Sequence, residues 1–474
     1  MAVTYKTPGV YVEEIPKFPP SVAPVDTAIP AFIGYTEKAT DKVDDDLRLK
    51  PKRIKSLVEF EQYFGLPQLE TAIVVTITTT GTPPTSVVTA TLDEDDRSKH
   101  ILYYALQLFY ANGGGSAYIV SVGNYKTMGS PLTLTDFQAA LTPLSKVDEP
   151  TLIVVPEATA LDIGDFKSLA DAMLAQCQAL GDRFAILDVH GDDEPLSDSA
   201  SDLRDAVTNF RDDGVGTNNL SYGAAYAPFL ETVLDFQFAK TQTVVKQTID
   251  GAAQPDQMLD SIETTDNQLY ERAKAAIGAR PLILPPSAAM AGIYAQVDDK
   301  RGVWKAPANV SVNDVTKPTI EFSNVEQDDM NIDATAGKSV NAIRAFVGKG
   351  TLVWGARTLA GNDNEWRYIN VRRFFIFVEE SVKKATERFT FEPNDANTWV
   401  KVQGMIENFL TTQWRAGALQ GIKPEHAFYV AVGLNKTMTP LDILEGRMIV
   451  EIGMAAVRPA EFIILRFSHK MAQS

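Results

Sequence analysis

Residues 152–189 have the sequence LIVVPEATALDIGDFKSLADAMLAQCQALGDRFAILDV, in which two short apolar runs flank an amphipathic segment. The runs at 152–155 and 184–189 carry apolar residues at consecutive positions, which is typical of strands that are buried on both faces. Between them, residues 165–180 repeat apolar side chains at helical spacing. The order of strand, helix and strand predicts a parallel sheet with helices on both faces.

The same alternation extends in both directions along the chain. Further apolar strands are predicted at 31–34, 117–122 and 221–229, and further helices at 56–63, 99–110, 199–210 and from Ser287 onward. Residues 71–92 differ, because runs rich in Thr, Val and Ile surround Gly81-Thr82-Pro83-Pro84. That pattern predicts a β-hairpin, inserted at about 66–98.

The last third predicts a second, mixed α and β domain. Strands are expected at 352–355, 367–371, 427–432 and 447–457, with long helices at 372–389 and 397–416. The fold class is therefore a multidomain combination of α/β and α+β architecture. We expect a linking arm at 1–25, an outer acidic α/β domain at 26–341, a core domain at 342–457 and a second arm at 458–474.

Both ends of the chain have strand-like sequences with no partner nearby in the sequence. The first is followed by a segment with five prolines between Pro16 and Pro30, which disfavours a hairpin and a helix. Such strands can add to the sheet of another molecule; pairing within their own subunit is the alternative. The residues concerned are Val10, Tyr11, Val12, Glu13, Glu14 and Ile15 at one end and Phe462, Ile463, Ile464, Leu465, Arg466 and Phe467 at the other.

Composition and charge narrow the class of protein. The chain has 474 residues, of which 45% are hydrophobic and 22% charged, as in ordinary globular proteins. No apolar run is long enough for a membrane span and no secretion signal is recognisable, so we expect neither. The net charge of −17 lies mostly before residue 342, and no basic patch with interleaved aromatics predicts nucleic-acid binding. The lone cysteine, Cys177, is expected to be buried on a helix.

Few residues form patterns that predict chemistry. Gly337-Lys338-Ser339 resembles the end of a phosphate-binding loop, but Ile332 stands where that motif needs its first glycine. The four histidines lack partners at metal-ligand spacing, so we expect no metal and no cofactor. Asp188, His190 and Ser287 weakly resemble the serine protease triad, although the first two share one strand end. A subtilisin-like serine hydrolase is therefore the alternative function, and a monomeric binding module is a third.

Several segments together resemble the sheath proteins of contractile phage tails and contractile injection systems. They are residues 7–14 (TPGVYVEE), 301–309 (RGVWKAPAN), 353–359 (VWGARTL), 365–373 (EWRYINVRR), 389–394 (FTFEPN) and the terminal run 462–469 (FIILRFSH). The resemblance covers both ends and most of residues 100–474, and residues 66–98 depart from it. It implies a subtilisin-like middle domain without protease activity.

The resemblance also implies how such subunits assemble and what they bind. Sheath subunits stack as hexameric rings into a helix around an inner tube, and arms of neighbouring subunits add strands to a third subunit's core sheet. Expected partners are other copies, the tube, baseplate and terminator proteins and possible sheath paralogues, with no nucleic acid or membrane. Assembly in the bacterial cytoplasm would precede release in a phage or injection particle.

Two details of the arms and the core domain remain expectations. Glu13 and Glu14 can pair across strands with Arg466 and Lys470, which would set register more than affinity. The helix at 397–416 carries Lys401, Glu407 and Arg415, which we expect to face the tube. A helix internal to the domain is the alternative.

Overall fold

The computed structural model describes residues 21–92, 97–191 and 200–466, which form two compact units. The larger unit comprises Val25–Glu380 and the segment from Arg458, and the smaller unit comprises Ser381–Val457 with the residues up to Pro24. We expected the second domain to begin at residue 342. The division falls after Glu380 instead, because two strands from 340 to 353 belong to the large sheet.

The strands of the described residues are β1 Pro30–Thr36, β2 Lys52–Ile54, β3 Val74–Thr80, β4 Thr85–Thr91, β5 Ala117–Asn124, β6 Leu152–Val154, β7 Phe184–Asp188, β8 Gly223–Ala227, β9 Leu230–Thr232, β10 Val244–Ile249, β11 Ala252–Ala253, β12 Gln257–Met258, β13 Leu282–Leu284, β14 Val315–Pro318, β15 Val340–Phe346, β16 Gly350–Val353, β17 Phe428–Val432 and β18 Val450–Met454.

The α-helices of the same residues are α1 Leu57–Phe64, α2 Leu102–Ala111, α3 Leu134–Leu144, α4 Ile163–Leu180, α5 Ala200–Asn209, α6 Leu259–Thr265, α7 Asn267–Gly278, α8 Ser287–Arg301, α9 Asn324–Asn331, α10 Ile369–Thr386, α11 Ala396–Arg415, α12 Pro424–Ala427 and α13 Pro440–Leu444. Ser56 caps α1 as expected, since its side chain accepts a hydrogen bond from Glu59 N.

The larger unit is built on a sheet in the order β16-β15-β8-β7-β6-β1-β5-β2 among the described residues. Its strands from β15 to β5 run parallel, and β16 and β2 are antiparallel edges. Successive residues alternate between two cores: Phe32 lies in one, and Ala31 and Ile33 lie in the other. Helices α2 and α8 contribute to the first core, and α3 and α4 to the second. The expected parallel sheet covered on both faces is confirmed.

The predicted hairpin is confirmed as β3 and β4, which pair antiparallel from Val74–Thr91 to Thr80–Thr85. A second neighbour of β3 was not expected: β10 pairs parallel with β3. On its other side β10 pairs antiparallel with β11 and β12. The insertion therefore shares a small sheet with a segment much later in the chain. Val74 of β3 pairs with Val244 of β10, 170 residues further on. A further small sheet has the order β13-β9-β14.

One sequence expectation is wrong within the larger unit. Residues 367–371 were expected to form a strand, but α10 begins at Ile369. Ile369, Val371 and Phe374 are all buried, because the first turn of α10 is enclosed by other elements. An apolar first turn of a buried helix has the same short-range pattern as a strand. Cys177 is buried on α4 as expected, and burial raises the pKa of its thiol.

Candidate assembly interface

The smaller unit contains a two-stranded antiparallel sheet, β17 and β18, in the register Phe428–Met454 to Val432–Val450. No other strand of the described residues pairs with either of its outer edges. Both strands were expected from the sequence. A two-stranded sheet is marginally stable alone and presents unpaired backbone N–H and C=O groups on both sides. Open edges of this kind can accept an added strand.

The two faces of this sheet differ. Val430 and Val432 are buried, and β17 packs against α11. On the opposite face Tyr429 is 53% exposed and donates a hydrogen bond to Glu451 Oε1 (2.6 Å), which raises the pKa of the phenol. A Cβ on Gly453 would lie 2.1 Å from Tyr429 Cε1, so the tyrosine ring covers the glycine directly across the ladder. An added strand would therefore meet one apolar and one solvent-facing side.

The apolar C-terminal run is exposed and forms no strand in the described residues. The side chains of Phe462, Ile463, Ile464 and Leu465 are 65–78% exposed, and Arg466 is also exposed. Residues 462–466 form no strand in the described part of the chain, and the strand expected over 462–469, which would pair with another subunit, stays a prediction. Phe467 and the residues after it lie outside the described residues. Four adjacent apolar side chains in water indicate a surface that another element covers.

Just before this run, Glu461 is held by four hydrogen bonds. Arg357 Nε donates to Oε1 (2.9 Å) and Arg357 Nη2 to Oε2 (2.7 Å). Asn331 Nδ2 donates to Oε1 (2.7 Å) and the Tyr368 hydroxyl to Oε2 (3.1 Å). Partial burial favours a higher pKa for Glu461, but the hydrogen bonds from Arg357 and Asn331 outweigh it and lower the pKa.

Near the other end of the chain, Thr27 is held by a second arginine–carboxylate pair. Arg373 Nη1 and Nη2 donate to the two oxygens of Asp298 (3.0 and 2.6 Å), and Nη2 also donates to Thr27 O (2.8 Å). The Thr27 hydroxyl donates to Asp298 Oδ2 (2.6 Å), so the threonine binds both partners. Both charged side chains are almost fully buried. The predicted N-terminal strand, Val10 to Ile15, lies outside the described residues.

Helix α11 is amphipathic, and its predicted apolar side is confirmed by the burial of Val402, Ile406, Phe409 and Leu410. Lys401 and Arg415 are exposed and lie on one face, since they are four turns apart. Glu407 is half-buried, accepts a hydrogen bond from Gln403 Nε2 (2.7 Å), and lies about 120° around the helix from Lys401. The exposed face therefore carries two positive charges, with the carboxylate beside it.

The residues of the hydrolase alternative come from neighbouring elements without forming a relay. Ser287 N donates to Asp188 Oδ1 (2.7 Å), whereas the buried Ser287 hydroxyl has no hydrogen-bond partner among the described residues. His190 Nε2 is bonded to Leu161 O (2.6 Å) and not to the serine. Burial raises the pKa of Asp188 to about 7. A triad needs an imidazole between carboxylate and serine, and here Asp188 caps the first turn of α8 instead.

The structure gives little support to a phosphate-binding site, a metal site or a membrane-spanning helix in the described residues. Lys338 is buried and donates to Val215 O (2.8 Å), so its ammonium group does not face an open phosphate site. Across the described ranges, three or more His, Cys, Asp or Glu side chains nowhere come together as metal ligands. None of the helices described is long and apolar enough to cross a membrane.

Sequence reasoning missed Arg357, Arg373, Asp298 and Glu461 as partners. Each pair joins residues far apart in the chain, 104 residues in the case of Arg357 and Glu461. The available signal was the pair of motifs at 353–359 and 365–373, which contain Arg357, Tyr368 and Arg373. Arginines within such motifs indicate specific contacts, because the planar guanidinium group can bind a carboxylate through two hydrogen bonds.

Comparison with known proteins gives matches to tail sheath proteins. Residues 361–470 match the family model of the phage tail sheath C-terminal domain. The tail sheath protein of Vibrio phage KVP40 is 22% identical over 188 residues, which are 39% of this chain and 26% of that protein. The match thus spans about a quarter of the length of that curated relative.

Two solved structures are similar over nearly the whole chain. A chain in the 6-fold symmetrised cryo-EM structure of the anti-feeding prophage baseplate is 30% identical, with a TM-score of 0.63, over 99% of this chain and 100% of that one. A chain of the PVC sheath complex in its contracted state, from an extracellular contractile injection system, is 28% identical, with a TM-score of 0.63, over 99% of both. With the open sheet and the exposed terminal run, these matches show that the chain belongs to the contractile tail sheath protein family.

Proposed function

We propose that this chain is the structural subunit of a contractile sheath that polymerises helically around an inner tube and contracts to drive that tube through a target envelope. The observation that carries the proposal is the two-stranded sheet β17–β18 with two open edges, in a chain whose C-terminal apolar run is exposed. When one surface of a subunit binds a different surface of the next, and the repeated contact does not close into a ring, the subunits form a helical filament. Strand addition supplies such contacts through main-chain hydrogen bonds.

In this proposal each receptor sheet takes one strand on each edge. The strand at Val10–Ile15 of one neighbour and the run from Phe462 of another would extend β17–β18 to four strands. Main-chain bonds of this kind can persist while whole domains rotate, provided that the linkers flex. The proline-rich segment that begins at Pro16 and ends before Thr27, and the link around Pro459, would act as those linkers; Pro30, at the end of the predicted segment, already begins β1.

The tube contact is proposed for the exposed face of α11. Lys401 and Arg415 would meet acidic groups of the tube, and Glu407 would contact the edge of the same surface. The geometry supports this for the two basic residues more directly than for Glu407, which lies to one side. Baseplate and terminator proteins, and any sheath paralogues, would bind at the two ends of the helix.

Contraction in this proposal uses no nucleotide and no catalysis. The extended sheath would be a kinetically trapped state that relaxes when one end is triggered. Assembly would take place in the bacterial cytoplasm, followed by release as part of a phage or extracellular injection particle. The hydrolase alternative is disfavoured by the buried Ser287 hydroxyl and by the bond between His190 and Leu161.

Electron microscopy of the full chain, expressed alone and with its tube protein, tests the proposal. We expect hollow ridged cylinders from the intact chain. Deletion of residues 1–15 should leave folded subunits, by circular dichroism, that no longer polymerise. Normal sheaths from this truncated chain, or persistent monomers from the intact chain, would contradict the proposal.

A further inference from the structure

The places where the two arms leave the larger unit share one construction. At each, a buried arginine makes a bidentate pair with a carboxylate, and this pair fixes a residue next to an arm. We propose that Arg357–Glu461 and Arg373–Asp298–Thr27 are anchors. The first fixes the root of the C-terminal arm and so sets its free length, and the second fixes the point where the chain from the N-terminal arm enters the larger unit. The inference rests on the proposed strand exchange and adds residues that position the arms.

The C-terminal anchor is a single fixed point in an otherwise exposed segment. From Arg458 to Arg466, the side chains of Phe462 to Leu465 are exposed, whereas the Glu461 carboxylate is only 19% exposed and its partner Arg357 only 4%. Four donated hydrogen bonds satisfy both carboxylate oxygens. The contact therefore holds the arm by one side chain and leaves the apolar residues after it free to bind elsewhere.

The arginine of this anchor is itself locked in place. Asn341 Oδ1 accepts from Arg357 N (2.7 Å), and Asn341 Nδ2 donates to Arg357 O (2.8 Å). A Cβ on Gly355 would lie 2.7 Å from Asn341 Oδ1, so a glycine is needed for this close approach. Bidentate arginine pairs are directional, and a fixed backbone makes that direction definite.

The N-terminal anchor holds Thr27, which follows the predicted arm by two residues. Arg373 and Asp298 each bond to Thr27, one at its carbonyl and the other at its hydroxyl. The guanidinium group also lies 4.5 Å from the centre of the Tyr294 ring. This anchor holds the backbone itself and so fixes where the chain enters the larger unit. It is not the last contact before the arm, since Val22 upstream of it is also buried.

Both arginines come from one short part of the chain, residues 353–373, which contains two of the motifs that carry the family resemblance. Stability alone is a weak explanation, because buried ion pairs often contribute little compared with apolar residues of the same volume. Anchoring explains why each pair includes or binds a residue beside an arm. A pull on either arm would be transmitted to the same rigid segment.

The C-terminal anchor matters because it shortens the tether of its arm. Without Glu461, the last upstream bond is Val457 N to Ala418 O, and the free arm would begin four residues earlier. Four extended residues add roughly 13 Å of reach. A longer, looser tether raises the entropy that is lost when the arm adds to a neighbour's sheet, so polymerisation should need more protein.

The test compares full-length chains that carry Glu461→Gln, Arg357→Lys or Tyr368→Phe with a control, Glu263→Gln. The control removes a carboxylate from an exposed pair with Lys240 in the same unit. A nitroxide at Ala460→Cys reports the mobility of the root, because Cys177 is buried and should not be labelled. The polymerisation threshold is the protein concentration above which polymer forms. For Glu461→Gln and Arg357→Lys we expect a mobile label and a threshold about tenfold higher, since each variant loses a charge-assisted bond. Tyr368→Phe should have a smaller effect in the same direction, and Glu263→Gln none.

The outcomes separate this inference from the proposed function. A label that stays immobile in Glu461→Gln, or a mobile label with an unchanged threshold, overturns the anchor. Glu461 is at the surface, so its variant remains informative if Arg357→Lys does not fold. A chain that lacks residues 459–474 tests the arm itself: if it polymerises normally, the strand exchange is wrong. Loss of polymerisation in that truncation, with normal behaviour of the point variants, refutes only the anchor. For the N-terminal anchor, Thr27→Val should raise the threshold less than Glu461→Gln does, because the buried Val22 still holds the chain upstream of it.

Discussion

If the C-terminal run adds to β17–β18, its side chains must alternate between the two faces of that sheet. One face packs on α11 and the other is open, as the burial of Val430 and the exposure of Tyr429 show. Alternate residues of a strand point to opposite faces. Two of the four apolar residues would therefore be buried against the core, and the other two would stay largely exposed.

The perturbation is a pair of double substitutions, Phe462→Ser with Ile464→Ser and Ile463→Ser with Leu465→Ser. All four side chains are 65–78% exposed in the subunit, so neither pair should change the melting temperature of the unassembled protein. Full burial of such a side chain contributes about 1.5–3 kcal/mol. The pair that faces the core should thus lose at least about 3 kcal/mol per arm, which is a rise of about 100-fold in the polymerisation threshold.

Sedimentation of the polymer over a range of protein concentrations measures the threshold for each chain. We expect one pair to raise it about 100-fold and the other to change it less than tenfold. Equal effects of the two pairs would contradict strand addition and would instead indicate a non-directional apolar contact. No effect of either pair would show that this run does not take part in assembly.

Three other predictions concern the tube contact, the buried carboxylates and the hydrolase alternative. The double variant Lys401→Glu with Arg415→Glu should weaken co-sedimentation with the tube about tenfold. The control Lys423→Glu, on the same unit, should leave co-sedimentation unchanged. An equal loss in both variants would indicate a general effect of charge and not a contact through α11. Burial raises the pKa of Glu157 from its ordinary 4.5 to about 8. Between these pH values the folded state therefore keeps a proton that the unfolded state releases. The free energy of unfolding should fall as the pH rises from 4.5 to 8. His100, whose pKa burial lowers to about 4, opposes this fall between pH 4 and 6.5, whereas Asp188, whose pKa burial raises to about 7, adds to it up to pH 7. Urea unfolding between pH 7 and 8 should therefore show the fall in the intact chain and not in Glu157→Gln. A fluorophosphonate probe should label the intact chain no more than Ser287→Ala does, and labelling that depends on Ser287 would revive the hydrolase.

The parts of the fold that the sequence predicts are those with strong local patterns. The strands at 152–154 and 184–188 are buried on both faces, so their apolar runs identify a parallel sheet without knowledge of their partners. The capped start of α1 and the hairpin of β3 and β4 are likewise determined by neighbouring residues.

The features that the sequence does not predict depend on contacts between residues far apart in the chain. The strand β15 joins the large sheet because Val340 pairs with Ala225, and β10 joins the hairpin across a still longer separation in the sequence. The first turn of α10 has the pattern of a strand until its enclosure by other elements is known. The anchors combine residues from four separate segments, so only the motifs around Arg357 and Arg373 pointed to them.

The open edges of β17 and β18 also have a consequence for production of the protein. An unpaired strand edge templates further β-pairing, and Val430 and Val432 beside it lie in an apolar strand. Glu451 supplies a charge on the adjacent strand, but under the proposed strand exchange the edges would stay available until an arm covered them. Surplus chains would therefore tend to form irregular precipitates, and the amount of the protein in the cell must be balanced against the supply of sites that nucleate ordered growth.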